Sequence, residues 1–505
     1  MIWLLLACSG PDLAGESGSE APVLDARVSL GEVKPCESPV ATPTYTESGA
    51  AWGLLDAAVE PGRHEESPSL AIADISGDGL LDVLVLQQLG TSYLYTHEGS
   101  GFAVERPNWA GVGTSGVFVD VNGSGRLDLI GGGLAPFLVL DPPGVPSFLT
   151  GIPPVDDRAP LTVHDFAPGD LEGDGALDFY LPITRDQHGG ADYNDVVLRF
   201  EGTTAVVDDL VVPEAAGVAH GFDATWFDED GDGDLDVYLA NDLGSVMGPS
   251  TLLRNEGGTL VDAADSCFCS LMTNNKGVDV GDVNRDGRPD LYVTGNPANT
   301  LLRQLEDGTW VDVTSVTGAA GVDDGVTGWG GNFVDYDNDG WLDLLSAQGD
   351  RWNQGNDNER IDVEPRLLRQ VDGVFEDVSA DVGVGGLGSF RAAASLDFND
   401  DGVEDLFVTQ IEGPPLLFLS DSCTEAGWLE VTAPRGSRVE VDAGGSTQAA
   451  WVRGDEGYLA NGPPRVHFGL GEAVQVDAMR VFLPGGERVE TGPFEGRRQV
   501  TVVAE

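Results

Sequence analysis

The segment from Thr225 to Ala240 reads TWFDEDGDGDLDVYLA, and its centre decides the fold. A run of β-forming residues enters a nine-residue loop, Asp228 to Asp236, and a second β-forming run leaves it. Carboxylates occupy loop positions 1, 3, 5 and 9, at Asp228, Asp230, Asp232 and Asp236, and position 6 is Gly233. Hard oxygen ligands at alternate positions of a short loop are what Ca²⁺ requires, with a backbone carbonyl supplied from position 7. Without a cation the carboxylates repel one another and open the loop. The glycine fits a turn that needs a positive φ.

Six further copies lie along the chain: DISGDGLLD from Asp74, DVNGSGRLD from Asp120, DLEGDGALD from Asp170, DVNRDGRPD from Asp282, DYDNDGWLD from Asp335 and DFNDDGVED from Asp397. Their starts are 46 to 62 residues apart, the mark of a repeat architecture. The expected ligands are Asp74, Ser76, Asp78 and Asp82 in the first copy and Asp120, Asn122, Ser124 and Asp128 in the second. The third offers Asp170, Glu172, Asp174 and Asp178, and the fourth the residues already named. The last three offer Asp282, Asn284, Asp286 and Asp290; Asp335, Asp337, Asp339 and Asp343; and Asp397, Asn399, Asp401 and Asp405. The copies at Asp170, Asp228 and Asp335 carry four carboxylates and are expected to bind tightest. Only Asp120 and Asp128 are charged in the second copy, which is expected to be the weakest of up to seven sites. An EF-hand would place a glutamate at position 12, where these copies have Val85, Gly131, Leu181, Leu239, Val293, Ser346 and Val408.

The flanks LAIAD and DVLVL around the first loop, and DLYVT and DLFVT after the fifth and seventh, make each unit strand, loop, strand. Between loops recur LLRNEGGTLVDA from Leu252, LLRQLEDGTWVDVT from Leu301 and LLRQVDGVFEDVS from Leu367. These units resemble the FG-GAP or VCBS repeats of integrin α-subunit propellers and, more closely, of the cartilage acidic protein group. The resemblance implies an all-β chain with a seven-bladed β-propeller over residues 46–420, each blade a four-stranded sheet. From Trp428 onward the character changes to alternating strands without acidic loops. Gly436–Val441, Gly457 and Tyr458, His467–Gly471 and Val481–Gly486 resemble the ASPIC/UnbV domain, expected over residues 421–505 as a small β-sandwich. Phe482 and Leu483 depart from the Trp usual before the proline, which implies altered core packing.

The 505 residues hold 85 Asp plus Glu against 26 Lys plus Arg, a formal charge of −59. Such a surface repels phosphate and anionic headgroups, which excludes nucleic acid and bare membrane as partners. Hydrophobic residues make up 41% and ten are Trp, so the chain folds despite its charge. The 70 glycines and the scarcity of helical periodicity fit a turn-rich β protein.

Residues 1–8, MIWLLLAC, resemble a bacterial lipoprotein signal ending at a lipidated Cys8, although no basic residue precedes the apolar run. The resemblance implies export, anchoring in the outer membrane or, failing that, secretion. Residues 9–45 are rich in Gly, Ser, Pro and Glu and are expected to be a flexible tether. Cys36, Cys267, Cys269 and Cys423 are disulfide candidates. A bond between Cys36 and Cys423 would tie the ends of the repeat array; Cys267 and Cys269 either pair locally or stay free.

Six histidines are scattered, none in an HExxH pattern, and no nucleophile elbow or phosphate-cradling loop is present. Arg453-Gly454-Asp455 spells an integrin-binding tripeptide, a three-residue match of the kind that arises by chance. The expectation is a non-catalytic, calcium-binding, exported propeller for adhesion or for binding an extracellular protein or glycan. The alternative is an enzyme acting on glycans or another polymer in the central funnel.

Overall fold

The computed structural model describes residues 25–36, 38–54, 68–87, 91–107, 114–132, 136–142, 146–149, 162–184, 195–208, 212–213, 220–323, 325–350, 361–411 and 413–504. The signal-like segment with Cys8 lies outside them. Seven of the sheets in this all-β structure are antiparallel meanders, one per repeat. In each, the first two strands flank the nine-residue loop: Ser69–Ala73 and Asp82–Leu86 in the first sheet, His220–Phe227 and Asp236–Asp242 in the fourth, and Ser389–Leu396 and Asp405–Ile411 in the seventh. These strands are buried on both faces, so they read as nearly continuous apolar runs rather than as alternations.

First strands of the third to seventh sheets meet in order around a central channel, the seventh returns to the first and the first meets the second, while Thr114 and Ser115 bond Val163 and Asp165 to join the second to the third. One core cluster accordingly joins Leu70, Val83 and Tyr95 to Ala394, Phe407 and Leu417. In the fourth to seventh sheets the first strand carries a register shift at Gly221/Asp223, Asn275/Val278, Gly328/Gly331 and Phe390/Ala393. The residues released by these bulges, Phe222, Lys276, Trp329 and Arg391, form a cation–aromatic stack: the Lys276 ammonium lies 4.0 Å from the Phe222 ring centre, and the Arg391 guanidinium 4.2 Å from that of Trp329.

Residues 28–45 are not a free tether. Val28–Leu30 pairs with Arg498–Val502 in the carboxy-terminal domain, and Tyr45–Glu47 adds the outermost strand to the seventh sheet. The physical reason is closure: the seventh repeat contributes only three strands, so its edge is paired from the other end of the chain. A Cys36–Cys423 disulfide lies beside this junction, with a Cα–Cα distance of 5.9 Å, and a second joins Cys267 to Cys269.

The carboxy-terminal domain packs two sheets over one core that includes Leu429, Val439, Val441, Met479, Val481 and Val500. Leu483 joins that core, whereas Phe482 stands between the guanidinium groups of Arg438 and Arg488. The domain covers the loop end of the ring and sends residues 453–461 into the channel. Ala460–Asn461 pairs in parallel with Ser69–Ala73, Tyr458 stacks on Phe222 and packs near Trp329, and Arg453 pairs with Asp279 and Asp455.

Candidate metal centres

Each nine-residue loop is first a hydrogen-bonded turn. The position 1 carboxylate turns back onto the N–H groups of positions 4 to 6: Gly77 and Asp78 donate to Asp74 Oδ1 at 2.7 and 3.0 Å, and Gly79 to Oδ2 at 2.8 Å. Comparable bonds reach Asp120, Asp170, Asp228, Asp282, Asp335 and Asp397. Position 5 accepts from the N–H of position 7, as Asp232 does from Asp234 N–H at 2.9 Å and Asp339 from Trp341 N–H at 2.9 Å; Ser124 accepts from Arg126 N–H at 3.3 Å in the second loop.

Position 9 has a second role. One oxygen of Asp82 accepts from Ile75 and Ser76 at the loop's start, and the other from His97 N–H at the end of the third strand. Asp128, Asp236, Asp290 and Asp405 repeat this clamp with Asp141, Asn255, Gln304 and Ser420, and all seven position 9 carboxylates are buried. The clamp ties loop, second strand and third strand together through backbone N–H groups. Sequence spacing gave no signal for it, because the partner is a backbone N–H of any residue type.

Two loops gather carboxylates into a metal-sized cluster. Among the described residues, oxygens of Asp228, Asp230 and Asp236, and separately of Asp335, Asp337 and Asp343, lie within 4.8 Å of one another. In the sixth loop Asp335 Oδ1 and Asp343 Oδ2 are buried with no hydrogen-bond partner among the described residues. In the third loop, expected to be equally strong, Glu172 is drawn to Arg199. Of the neutral position 3 groups, Asn122 donates to Asp128 and Asn284 to Asp286, while Asn399 accepts from Asp401 N–H; Ser76 lies 3.5 Å from Asp74.

Burial dominates the electrostatics. It pushes the carboxyls of Asp236, Asp290 and Asp397 up to about 8 and those of Asp228, Asp282 and Asp337 up to about 6, with neighbouring carboxylates adding repulsion. Asp335, Asp343 and Asp405 are raised well above the usual range for the same reasons. Such a site takes up either protons or a cation.

The carboxy-terminal domain rests on five of the loops. Gly485 approaches Gly173, Gly436 approaches Leu235, the Arg438 guanidinium donates to Gly287 O at 3.1 Å, and Trp428 lies against Gly402. The tightest contact is at the sixth loop. Asn338, with φ 58, donates from Nδ2 to Gly402 O at 2.8 Å and to Thr424 Oγ1 at 3.1 Å, leaving Oδ1 to face His467 Nε2 at 2.6 Å. Burial lowers the His467 pKa to about 3, so the ring is neutral and its Nε2–H donates. Gly471 N–H donates to Asn338 O at 2.9 Å, and a Cβ on Gly469 would stand 2.0 Å from Asp335 Oδ2. The glycines of the first two loops, Gly77, Gly79, Gly123 and Gly125, have open space instead.

The tripeptide Arg453-Gly454-Asp455 is buried in the channel, with Asp455 accepting from Thr225 Oγ1 at 3.0 Å, so it is not displayed to any receptor.

Comparison with known proteins agrees with this architecture. An FG-GAP-like repeat model matches residues 74–131, 228–293 and 282–346, and an ASPIC and UnbV model matches residues 431–505. Human cartilage acidic protein 1 is 24% identical over 409 residues, covering 65% of this chain and 60% of its own length; the mouse protein is 25% identical over 399 residues, covering 63% and 61%. The chain thus spans about 60% of the length of these relatives. Among solved structures, the exotype rhamnogalacturonan lyase YesX is similar with a TM-score of 0.42 at 11% identity, covering 76% of each chain.

Proposed function

We propose that this chain, which carries FG-GAP-like repeats and an ASPIC and UnbV domain and is homologous to cartilage acidic protein 1, is an exported, calcium-binding, non-catalytic binder of an extracellular protein or glycan. The observation that carries the metal reading is the sixth loop, where buried oxygens of Asp335 and Asp343 have no partner among the described residues and converge with Asp337. An uncompensated buried charge costs several kcal/mol, which one Ca²⁺ would remove. Millimolar external calcium saturates sites with dissociation constants on the order of 10⁻⁴ M or below. The two disulfides favour an oxidising compartment, in line with export and with a lipid anchor at Cys8.

The binding role is favoured over catalysis by the channel, the usual place for a propeller's reaction. Residues 453–461 occupy it from the loop end, and Tyr458 is fully buried there. With five of the seven loops covered, the partner is met on the opposite face.

Thermal melting with calcium and with EDTA tests the metal. At a hundredfold excess over the dissociation constant each site adds about 2.7 kcal/mol, so calcium should raise the Tm clearly. An unchanged Tm would refute the calcium reading.

A further inference from the structure

Four one-turn helices follow the outermost strands of the last four sheets: α1 (Gly49–Trp52), α2 (Ala264–Cys267), α3 (Thr314–Thr317) and α4 (Ser379–Val382). Each ends on a residue in the left-handed conformation. In three that residue is glycine, Gly53, Gly318 and Gly383, at φ 91, 78 and 87. In α2 it is Phe268, at φ 57. A bulky side chain is disfavoured there, and the sister repeats show that glycine serves the turn.

Burial does not offset this cost. Phe268 is 72% exposed, while its neighbours Cys267 and Cys269 are buried and joined by a disulfide that brackets it. Hydrogen bonds between Ser250 and Leu271, and from Gly244 N–H to Thr273 O, bring a second loop alongside. That pairing adds Met272, 59% exposed, and Val246, 78% exposed, to the same end of the fourth sheet. This end is remote from the metal loops: the strand Asn274–Gly281 begins here and finishes at the fifth loop. The surrounding charge is acidic. Asp262 and Asp265 are exposed, and the one cation within residues 243–273, Arg254, is held by Glu229.

We propose that Phe268, with Met272 and Val246 exposed at the same end of the fourth sheet, is an aromatic anchor that docks a partner protein through an apolar pocket rimmed by lysine or arginine. Strain retained at an exposed position points to use rather than packing. Aromatic and methionine side chains supply the core of protein interfaces, and the acidic surround selects a basic rim. The proposal rests on the reading of the chain as a binder and is independent of whether the loops hold calcium.

The test titrates the whole chain, once with calcium and once with EDTA, with a synthetic peptide alternating lysine and leucine, with a glutamate–leucine counterpart, and with phosphatidylcholine vesicles. The lysine–leucine peptide should bind the wild type. Phe268→Gly should weaken that binding at least tenfold while leaving the Tm equal or higher, because glycine accepts the left-handed φ; Phe268→Trp should retain binding. Equal affinity of the wild type and Phe268→Gly for the peptide would overturn the anchor while leaving the binder reading in place. Failure of the wild type to bind the peptide, or preference for the acidic peptide, would overturn the partner chemistry. Vesicle binding that Phe268→Gly abolishes would assign the patch to lipid instead.

Discussion

At the scale of single residues, the carboxylates of the loops divide into two kinds. Position 9 groups such as Asp82 and Asp290 are clamps with both oxygens on backbone N–H groups, whereas Asp335 and Asp343 each leave one buried oxygen without a partner among the described residues. Asp335→Asn should therefore change sign with conditions. In calcium it should lose one bound ion by native mass spectrometry and roughly 1–3 kcal/mol of stability; in EDTA it should melt at or above the wild type, because the amide needs no proton to be buried and does not repel Asp337 and Asp339. Asp120→Asn, in the loop with two charged ligands, should alter both far less. A pH series follows from the same burial. With the loops stripped, Asp236 and Asp290 titrate at about 8 when folded against an ordinary value of 3.8. A raised folded pKa contributes stability that is fully present below the unfolded value and is lost as pH rises through the folded one. The Tm in EDTA should thus fall between pH 4 and pH 8, and calcium should abolish the fall by taking the protons' place.

At the scale of elements, strand, loop, strand was readable because the ligand spacing and the positive-φ glycine are local, and the buried strands carry their own apolar runs. The one-turn helices and the clamp from position 9 to the third strand were not readable, since both use backbone groups that any residue provides. The latch at the sixth loop belongs here too. Asn338 satisfies Gly402, Thr424 and His467 at once. Asn338→Ala leaves those groups unpaired at about 1–3 kcal/mol each. Hydrogen exchange in the strand Arg465–Gly471, which lies on this loop, should accelerate by at least tenfold, while the first sheet, far from the change, should keep its protection. Uniform protection in both regions would show that the latch carries little of the docking.

At the scale of the whole molecule, ring and carboxy-terminal domain are threaded together by residues 453–461 and by the amino-terminal strands, and should unfold as one cooperative unit. Arg453→Ala leaves Asp279 and Asp455 buried without their cation and should cost about 3–5 kcal/mol, read as a single lower melting transition for both domains. Two separate transitions would contradict the unity of the fold. The acidity also changes meaning at this scale. Of the 85 acidic residues, 23 occupy loop positions 1, 3, 5 and 9, and seven Ca²⁺ ions would bring the formal charge from −59 to −45. Some of the rest is buried, as at Asp165, Asp223 and Asp455, and the exposed part favours basic partners.

The sequence by itself determined the all-β class and the seven copies of the acidic loop between two strands, because each rests on local periodicity or on residue types at fixed spacing. Only the tertiary structure decided that Val28–Leu30 pairs with the carboxy-terminal domain and Tyr45–Glu47 with the seventh sheet, that Arg453-Gly454-Asp455 is buried, that residues 453–461 of the carboxy-terminal domain enter the ring while the domain covers five of the loops, and that Phe268 stands exposed. Those outcomes depend on which distant surfaces meet: an edge strand takes any compatible partner, and a buried tripeptide has the same letters as a displayed one.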